Sequence, residues 1–261
     1  MRPSQEKKRD TAKDVPNSDE IIYGRNSVIE ALKSDTPINK ILISEAGGGS
    51  LSVITALAHE KGIVFTKVTK EKIEELTGTR NHQGVMAYAA AAQYYDIDDI
   101  LAKAADAGEN PFIIILDEVQ DAHNLGAIIR SADAVGAHGV IIPKRRAASL
   151  TGVVAKTSAG AVSHVMVARV PNIPNAIEEL KEKGVWISGT DLTGETCFYD
   201  ADFKSPLGLV IGSEGHGMGR LVREKCDFVL TIPMKGAVSS LNASVAAGVV
   251  MYEVFRQRNV K

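Results

Sequence analysis

Cysteine is nearly missing from this chain, whose 261 residues include only Cys197 and Cys226. Two thiols so far apart match neither a zinc site nor a closely spaced redox pair, so they read as reduced structural residues. Long apolar runs are missing too. The most continuous, such as Phe112 to Leu116, fall far short of the ~18 residues that span a bilayer, and the charged amino terminus lacks the apolar stretch of a secretory signal. A cytoplasmic protein is expected. Strong net charge is also lacking: at −2, any nucleic-acid partner has to be met by a local basic patch. Finally, no Gly-Lys dipeptide and no G-x-G-x-x-G register occur, which argues against a P-loop and against a nucleotide-dependent oxidoreductase.

What is present is an ordinary globular composition, 44% hydrophobic and 24% charged, sufficient to bury a sizeable core. Residues 1–18 have almost no apolar content and are expected to form a disordered tail. Residues 19–94 alternate helix and strand, with helices over Ser27–Lys33, Leu51–Lys61 and Lys70–Leu76 and strands over Ile38–Ile43, Ile63–Val68 and Gly84–Ala92, as in a small α/β domain. Residues 95–110, with Asp96, Asp98 and Asp99 before an Ala-rich stretch, read as a linker helix that Asn110-Pro111 ends. From 111 to 261, strand-like runs at Phe112–Leu116, Gly139–Ile142, His164–Ala168, Val185–Thr190, Leu207–Ile211 and Phe228–Ile232 alternate with helical segments, the pattern of a parallel sheet.

Three loops follow three of those strands, and open α/β sheets bind ligands beyond the carboxyl ends of their strands. The first, Asp117 to Gly126, leads into a helix whose apolar positions Leu125, Ile128, Ile129, Ala132 and Val135 keep helical spacing. Arg130 lies off that stripe. It stands six positions after Asn124, about 120° around an ideal helix, so the two converge only if Asn124 is still in the loop or capping. Taken singly, Asn124 also reads as a plain N-cap and Arg130 as a solvated charge. The second loop, Gly212 to Gly219, has four glycines in eight residues, which lets backbone approach a ligand closely. Its Glu214 is either a first-turn carboxylate facing the helix dipole or a ligand contact. The third runs from Ile232 through Pro233-Met234-Lys235-Gly236 to Ser239-Ser240-Leu241-Asn242 at the mouth of an apolar helix. A buried hydroxyl or amide without a partner costs roughly 1 to 3 kcal/mol, so this polar group has either a helix to cap or a ligand to meet. Three such loops fit one composite site better than three coincidences.

The stretches N-L-G-A-I-I-R, I-G-S-E-G-H-G-M and I-P-M-K-G-A-V-S-S-L-N-A-S-V-A-A resemble the three successive motifs of the SpoU family of RNA ribose 2'-O-methyltransferases. Gly24-Arg25-Asn26-Ser27-Val28-Ile29-Glu30-Ala31-Leu32 and Asn81-His82-Gln83-Gly84 further resemble the amino-terminal substrate-binding domain of the branch that methylates a guanosine of 23S ribosomal RNA. The resemblance covers about residues 20 to 258. It implies a carboxyl-terminal SPOUT-type α/β domain with a parallel sheet and a trefoil knot, preceded by a small α/β RNA-binding domain. It also implies S-adenosylmethionine bound in the knot, a homodimer, and no metal. Position by position, Asn124, Arg130, Glu214, Ser240 and Asn242 match the family's catalytic positions. Gly212, Ile232 and Leu241 match its cofactor contacts, with Gly189 and Met234 nearby. A guanidinium stays protonated at working pH, so Arg130 suits electrostatic anchoring of a phosphate or an incipient alkoxide better than proton removal.

For RNA, Val140 to Pro171 holds Lys144, Arg145, Arg146, Lys156 and Arg169 and no acidic residue, a local positive segment that either meets phosphates or is a solvated face. Arg25, Asn81, His82 and Gln83 either meet RNA loops or form a plain turn. The carboxyl-terminal helix is apolar nearly all round, with Leu241, Val245, Val249 and Tyr252 on one stripe and Ala246, Val250 and Val254 on another. Such a helix is buried in the core or across a dimer interface. A transfer-RNA methyltransferase and a non-catalytic ribosome-assembly protein remain the competing readings.

Overall fold

A computed structural model of the protein describes residues 21–33, 36–45, 50–236 and 240–259. The expected tail at 1–18, and Ser239, lie outside the described residues. A first sheet is built from β1 (Ile21–Tyr23), β2 (Ile38–Ser44), β3 (Phe65–Val68) and β4 (Val85–Ala89), in the order β1-β4-β2-β3, with only the β2–β3 pair parallel. Alternation along β2 sorts its side chains by face. Ile41 and Ile43 pack under α1 (Arg25–Lys33) and α2 (Ser50–Glu60), whereas Leu42 meets Ile73 of α3 (Lys70–Thr77).

The second sheet is parallel throughout. It contains β5 (Phe112–Leu116), β6 (Gly139–Pro143), β7 (Met166–Val170), β8 (Trp186–Thr190), β9 (Thr196–Cys197), β10 (Leu207–Ile211) and β11 (Phe228–Thr231), ordered β7-β6-β5-β10-β8-β11-β9. Helices cover both faces, so the central strands bury both and read as continuous apolar runs. Ile114 and Leu116 face α5 (Ala122–Ala134) and α9 (Ala243–Asn259). Ile113 and Ile115 face the layer of α4 (Ile97–Asp106), α7 (Ile173–Glu182) and α8 (Arg220–Lys225). The short α6 (Gly152–Thr157) packs on α5. Strand order reverses between β5 and β10, which opens a crevice at their carboxyl ends.

The segment expected as a linker helix, 95–110, is part of this packing. Ile97 and Ile100 of α4 are buried in the same cluster as β5 and α7, Ala104 is buried as well, and a Cβ on Gly139 would stand 2.5 Å from the Ile100 Cδ1. The two sheets are joined through Asn39 of β2. Its Nδ2 donates to the Leu150 carbonyl at 2.9 Å, and its Oδ1 accepts from the Tyr94 hydroxyl at 2.6 Å. Arg169 of β7 stacks on the Tyr94 ring and donates to the Asn39 carbonyl at 3.0 Å. Among the described residues no cluster of His, Cys, Asp or Glu is placed to hold a metal, and no helix is long and apolar enough to cross a membrane.

Candidate cofactor and catalytic site

A cavity of about 340 Å³ lies at the carboxyl ends of β8, β10 and β11, walled by the loops that follow them and by the start of α9. The loop after β10 shows why glycine recurs there. Ser213 and Gly217 bond each other through both backbone N–H groups at 3.0 Å, folding the loop into a tight turn. Gly215 and Gly217 sit at φ of 84° and 65°, where a side chain is strained. A Cβ on Gly212 would stand 2.2 Å from the Gly217 carbonyl carbon. Past the turn, the Gly219 N–H donates to the carboxylate of Asp117, at the end of β5, at 2.7 Å. Burial pushes the Asp117 carboxyl up, against the lowering effect of that bond.

Glu214 stands in this turn. Its Oε1 accepts from Asn124 Nδ2 at 3.0 Å, from the Ala243 N–H at 3.3 Å, and from Asn242 Nδ2. Asn242 Nδ2 also donates to Asn124 Oδ1 at 3.0 Å, which closes a triangle among one residue from each of the three loops. Asn242 Oδ1 accepts from the N–H groups of Ser244 at 3.0 Å and Val245 at 3.3 Å, the bonds of an N-cap. The cap of α9 therefore falls on Asn242, the last residue of the polar group that the sequence places at the mouth of this helix. Ser240 is exposed and lines the cavity.

Arg130 does not join this cluster. The helix starts earlier than expected: Asp121 caps α5, so Asn124 is already helical and the two side chains diverge. Asn124 is buried, whereas Arg130 is exposed and makes no hydrogen bond or ion pair to any described residue. Of the expected cofactor residues, Gly212, Ile232, Met234 and Leu241 line the cavity. Gly189 does not. The space its Cβ would take is filled by Met218 Cε at 2.5 Å and Cys226 Sγ at 2.9 Å, so its glycine serves packing beneath the loop. The sequence reading missed the loop after β8, where Thr190, Asp191 and Thr193 reach the cavity. The signal was available: this D-L-T-G also follows the carboxyl end of a strand.

The basic residues separate by role. Lys144 Nζ donates to the Gly62 carbonyl at 2.9 Å, Arg146 pairs with Glu118 at 3.0 Å, and Arg145 is exposed without a partner among the described residues. Arg25 is tied to the Gln83 backbone carbonyl at 3.0 Å and to Ser50 Oγ at 3.2 Å. Asn81 and Gln83 are exposed. His82 differs from the expectation: it is buried, and its Nδ1 accepts from the Gly84 N–H at 3.0 Å, so its ring supports the loop from beneath.

Two family patterns match the chain, "SpoU rRNA Methylase family" over residues 111–252 and "RNA 2'-O ribose methyltransferase substrate binding" over residues 21–95. The chain is 52% identical to the Bacillus subtilis protein YacO, whose name places it among TrmH family tRNA/rRNA methyltransferases, over 91% of this chain and 96% of the relative. It is 43% identical to the Synechocystis tRNA/rRNA methyltransferase slr0955, over 92% of this chain and 63% of that one. Among solved structures, the SpoU methyltransferase AviRb of Streptomyces viridochromogenes, in complex with AdoMet, aligns with a TM-score of 0.59 at 27% identity, covering 91% of this chain and 89% of AviRb. An AdoMet-bound rRNA methyltransferase of Sinorhizobium meliloti aligns with a TM-score of 0.59 at 26% identity, covering 92% and 88%.

Proposed function

Because the chain belongs to the SpoU rRNA Methylase family, we propose that it methylates a ribose 2'-hydroxyl of RNA, with a guanosine of 23S ribosomal RNA as its target. It is an S-adenosylmethionine-dependent methyltransferase. The observation that carries the reading is the triangle of Asn124, Glu214 and Asn242 at the rim of a cavity. The cavity suits this cofactor. At about 340 Å³ it has the size of a small-molecule site, and its described lining is largely apolar with two carboxylates and neither lysine nor arginine, which favours a cation.

Gly212, Ile232, Met234 and Leu241 would hold the cofactor against the ends of β10 and β11 and the start of α9. When bound, S-adenosylmethionine supplies a methyl group on an already activated sulfonium, which needs no metal. The chain's own task is alignment, and orienting two reactants is worth roughly 7 to 11 kcal/mol. Asn124 and Asn242 fix the Glu214 carboxylate, and Ser240, exposed at the cavity wall, is placed to meet the ribose. Arg130, exposed and unpaired among the described residues, is suited to hold the target phosphate as a fork of N–H donors. Arg25, Asn81, Gln83 and Arg145 extend the RNA surface, with His82, Lys144 and Arg146 supporting it.

The same reading divides the chain at 19–94, 95–110 and 111–261, gives the last part a trefoil knot, and places the protein in the cytoplasm. It also makes the chain a homodimer, a reading supported by Val245, Val249 and Tyr252, which α9 leaves exposed along one stripe. Mapping 2'-O-methylation in ribosomal and transfer RNA from cells with and without this protein tests the function. Loss of one 23S guanosine mark is expected. Loss of a transfer-RNA mark instead would replace the substrate, and no lost mark together with no S-adenosylmethionine binding would leave a non-catalytic RNA-binding protein.

A further inference from the structure

We infer that Asp191 is the charge-selective residue of the cavity, favouring the cationic methyl donor over the neutral thioether that remains once the methyl has left. The inference rests on the reading that this cavity binds S-adenosylmethionine. On transfer the sulfur–methyl bond breaks with its electron pair staying on sulfur, an oxygen–methyl bond forms, and the hydroxyl proton is released. The ligand thus loses one positive charge, and a carboxylate facing the cavity registers that loss.

Only two carboxylates, Asp191 and Glu214, are found in the described lining. Glu214 has one oxygen committed to three N–H donors of the catalytic cluster. Asp191 is held differently. Its Oδ1 accepts from the Thr193 N–H at 2.9 Å and the Thr193 hydroxyl at 2.7 Å, and forms an ion pair with Arg223 Nη1 at 2.9 Å. Its Oδ2 accepts no hydrogen bond among the described residues and lies 3.4 Å from where a Cβ on Gly217 would stand, toward the turn that walls the cavity. One oxygen is spent on the protein and the other is left for the ligand side.

Arg223, on α8, is absent from the described lining, so its positive charge lies behind the carboxylate. It also donates to the Thr193 carbonyl at 3.3 Å, stapling the loop that carries Asp191. Burial alone would raise the Asp191 carboxyl. The bonds from Thr193 and Arg223 outweigh burial and hold it below its ordinary value, so it is ionised at neutral pH. Its side chain is only 20% exposed, and a charge so withdrawn from water acts on a ligand with less screening than a surface one.

Calorimetry with S-adenosylmethionine and S-adenosylhomocysteine on the full chain tests this without turnover. Asp191→Asn keeps an oxygen for Thr193 and removes the charge. It is expected to weaken S-adenosylmethionine about tenfold more than S-adenosylhomocysteine, about 1.4 kcal/mol of lost discrimination. Arg223→Gln loosens the staple but keeps the carboxylate, and is expected to weaken both ligands without lowering their ratio. An equal loss of both ligands in Asp191→Asn would mean that the carboxylate serves only as a hydrogen-bond acceptor, and would overturn the inference. A ratio that collapses as far in Arg223→Gln would overturn it too, since loop shape would then set the selection. If the unaltered chain binds no S-adenosylmethionine, the proposed function fails along with the inference; if it binds and the ratio survives in Asp191→Asn, the inference alone fails.

Discussion

His138 sits at the amino-terminal edge of β6, buried, with Nδ1 accepting from the Phe112 N–H at 3.0 Å and Nε2 at 3.3 Å from a Glu109 carboxylate oxygen. Only the neutral ring protonated on Nε2 serves both contacts, because protonating Nδ1 would remove the acceptor that Phe112 uses. Burial holds its pKa below the ordinary value, the Glu109 carboxylate opposing and the Lys103 and Arg258 charges assisting. A lowered folded-state value means that the unfolded chain takes up a proton the folded chain resists. The stability is therefore present above the ordinary histidine value of about 6.5 and is lost as pH falls through the folded-state value. Urea midpoints at about pH 7.5 and about pH 5.5 should drop at the lower pH, and His138→Gln should lose part of that slope. An equally steep slope in the variant would place the titration elsewhere. At this scale the sequence disclosed residues that form conspicuous clusters, such as Glu214 among its glycines. It did not disclose Asp191, whose orientation depends on Arg223, a residue of another element.

Among the elements, α5, which carries Asn124 at its first turn, runs close against α6. Gly126 permits that approach: a Cβ there would stand 2.7 Å from the Thr157 Cβ and 3.1 Å from the Val154 carbonyl oxygen. The first atom is a branched side chain's root and the second is backbone, so neither yields by a rotamer change. Gly126→Ala should cost about 1 to 3 kcal/mol, as overpacking does, read as a lower urea midpoint with an unchanged slope. An unchanged midpoint would show that α6 shifts freely. Strands β5, β6 and β10 were legible because burial on both faces leaves continuous apolar runs. Strands β1 and β9, of three and two residues, are too short for any period to register. Helix α4 was legible as a helix but not as core. Asp98 and Asp99 mark a solvated first turn, whereas Ile100 finds its place under Gly139 only once β6 is in position.

For the whole molecule, the decisive question is whether the small sheet is tethered to the large one or fixed on it. Arg169 fixes it. Its guanidinium lies 4.8 Å from the Tyr94 ring centroid, and its nitrogens donate to the Asn39 carbonyl at 3.0 Å and the Lys144 carbonyl at 3.3 Å. Lys144 in turn reaches the Gly62 carbonyl of the small domain at 2.9 Å. The sequence showed Arg169 only as one charge in a basic segment, because the partners that turn it inward lie in β2 and at Tyr94, far away along the chain. A fixed small domain presents Arg25 and Gln83 at a set distance from the cavity, so RNA bound there, as proposed, would arrive already aligned. Arg169→Met leaves two carbonyls without donors and removes the cation–π contact, and should raise the KM for RNA about tenfold while S-adenosylmethionine binding is unchanged. Arg169→Lys should not restore it, because one ammonium cannot reach both carbonyls and stack on the ring. Salt dependence separates this role from direct phosphate contact. A phosphate-binding arginine contributes about one released counterion to the slope of log affinity against log salt, whereas a residue that only orients the domain leaves the slope as it was. Arg145, exposed on the same segment, is the internal comparison: Arg145→Ala should lower that slope, and Arg169→Met should weaken RNA binding without lowering it.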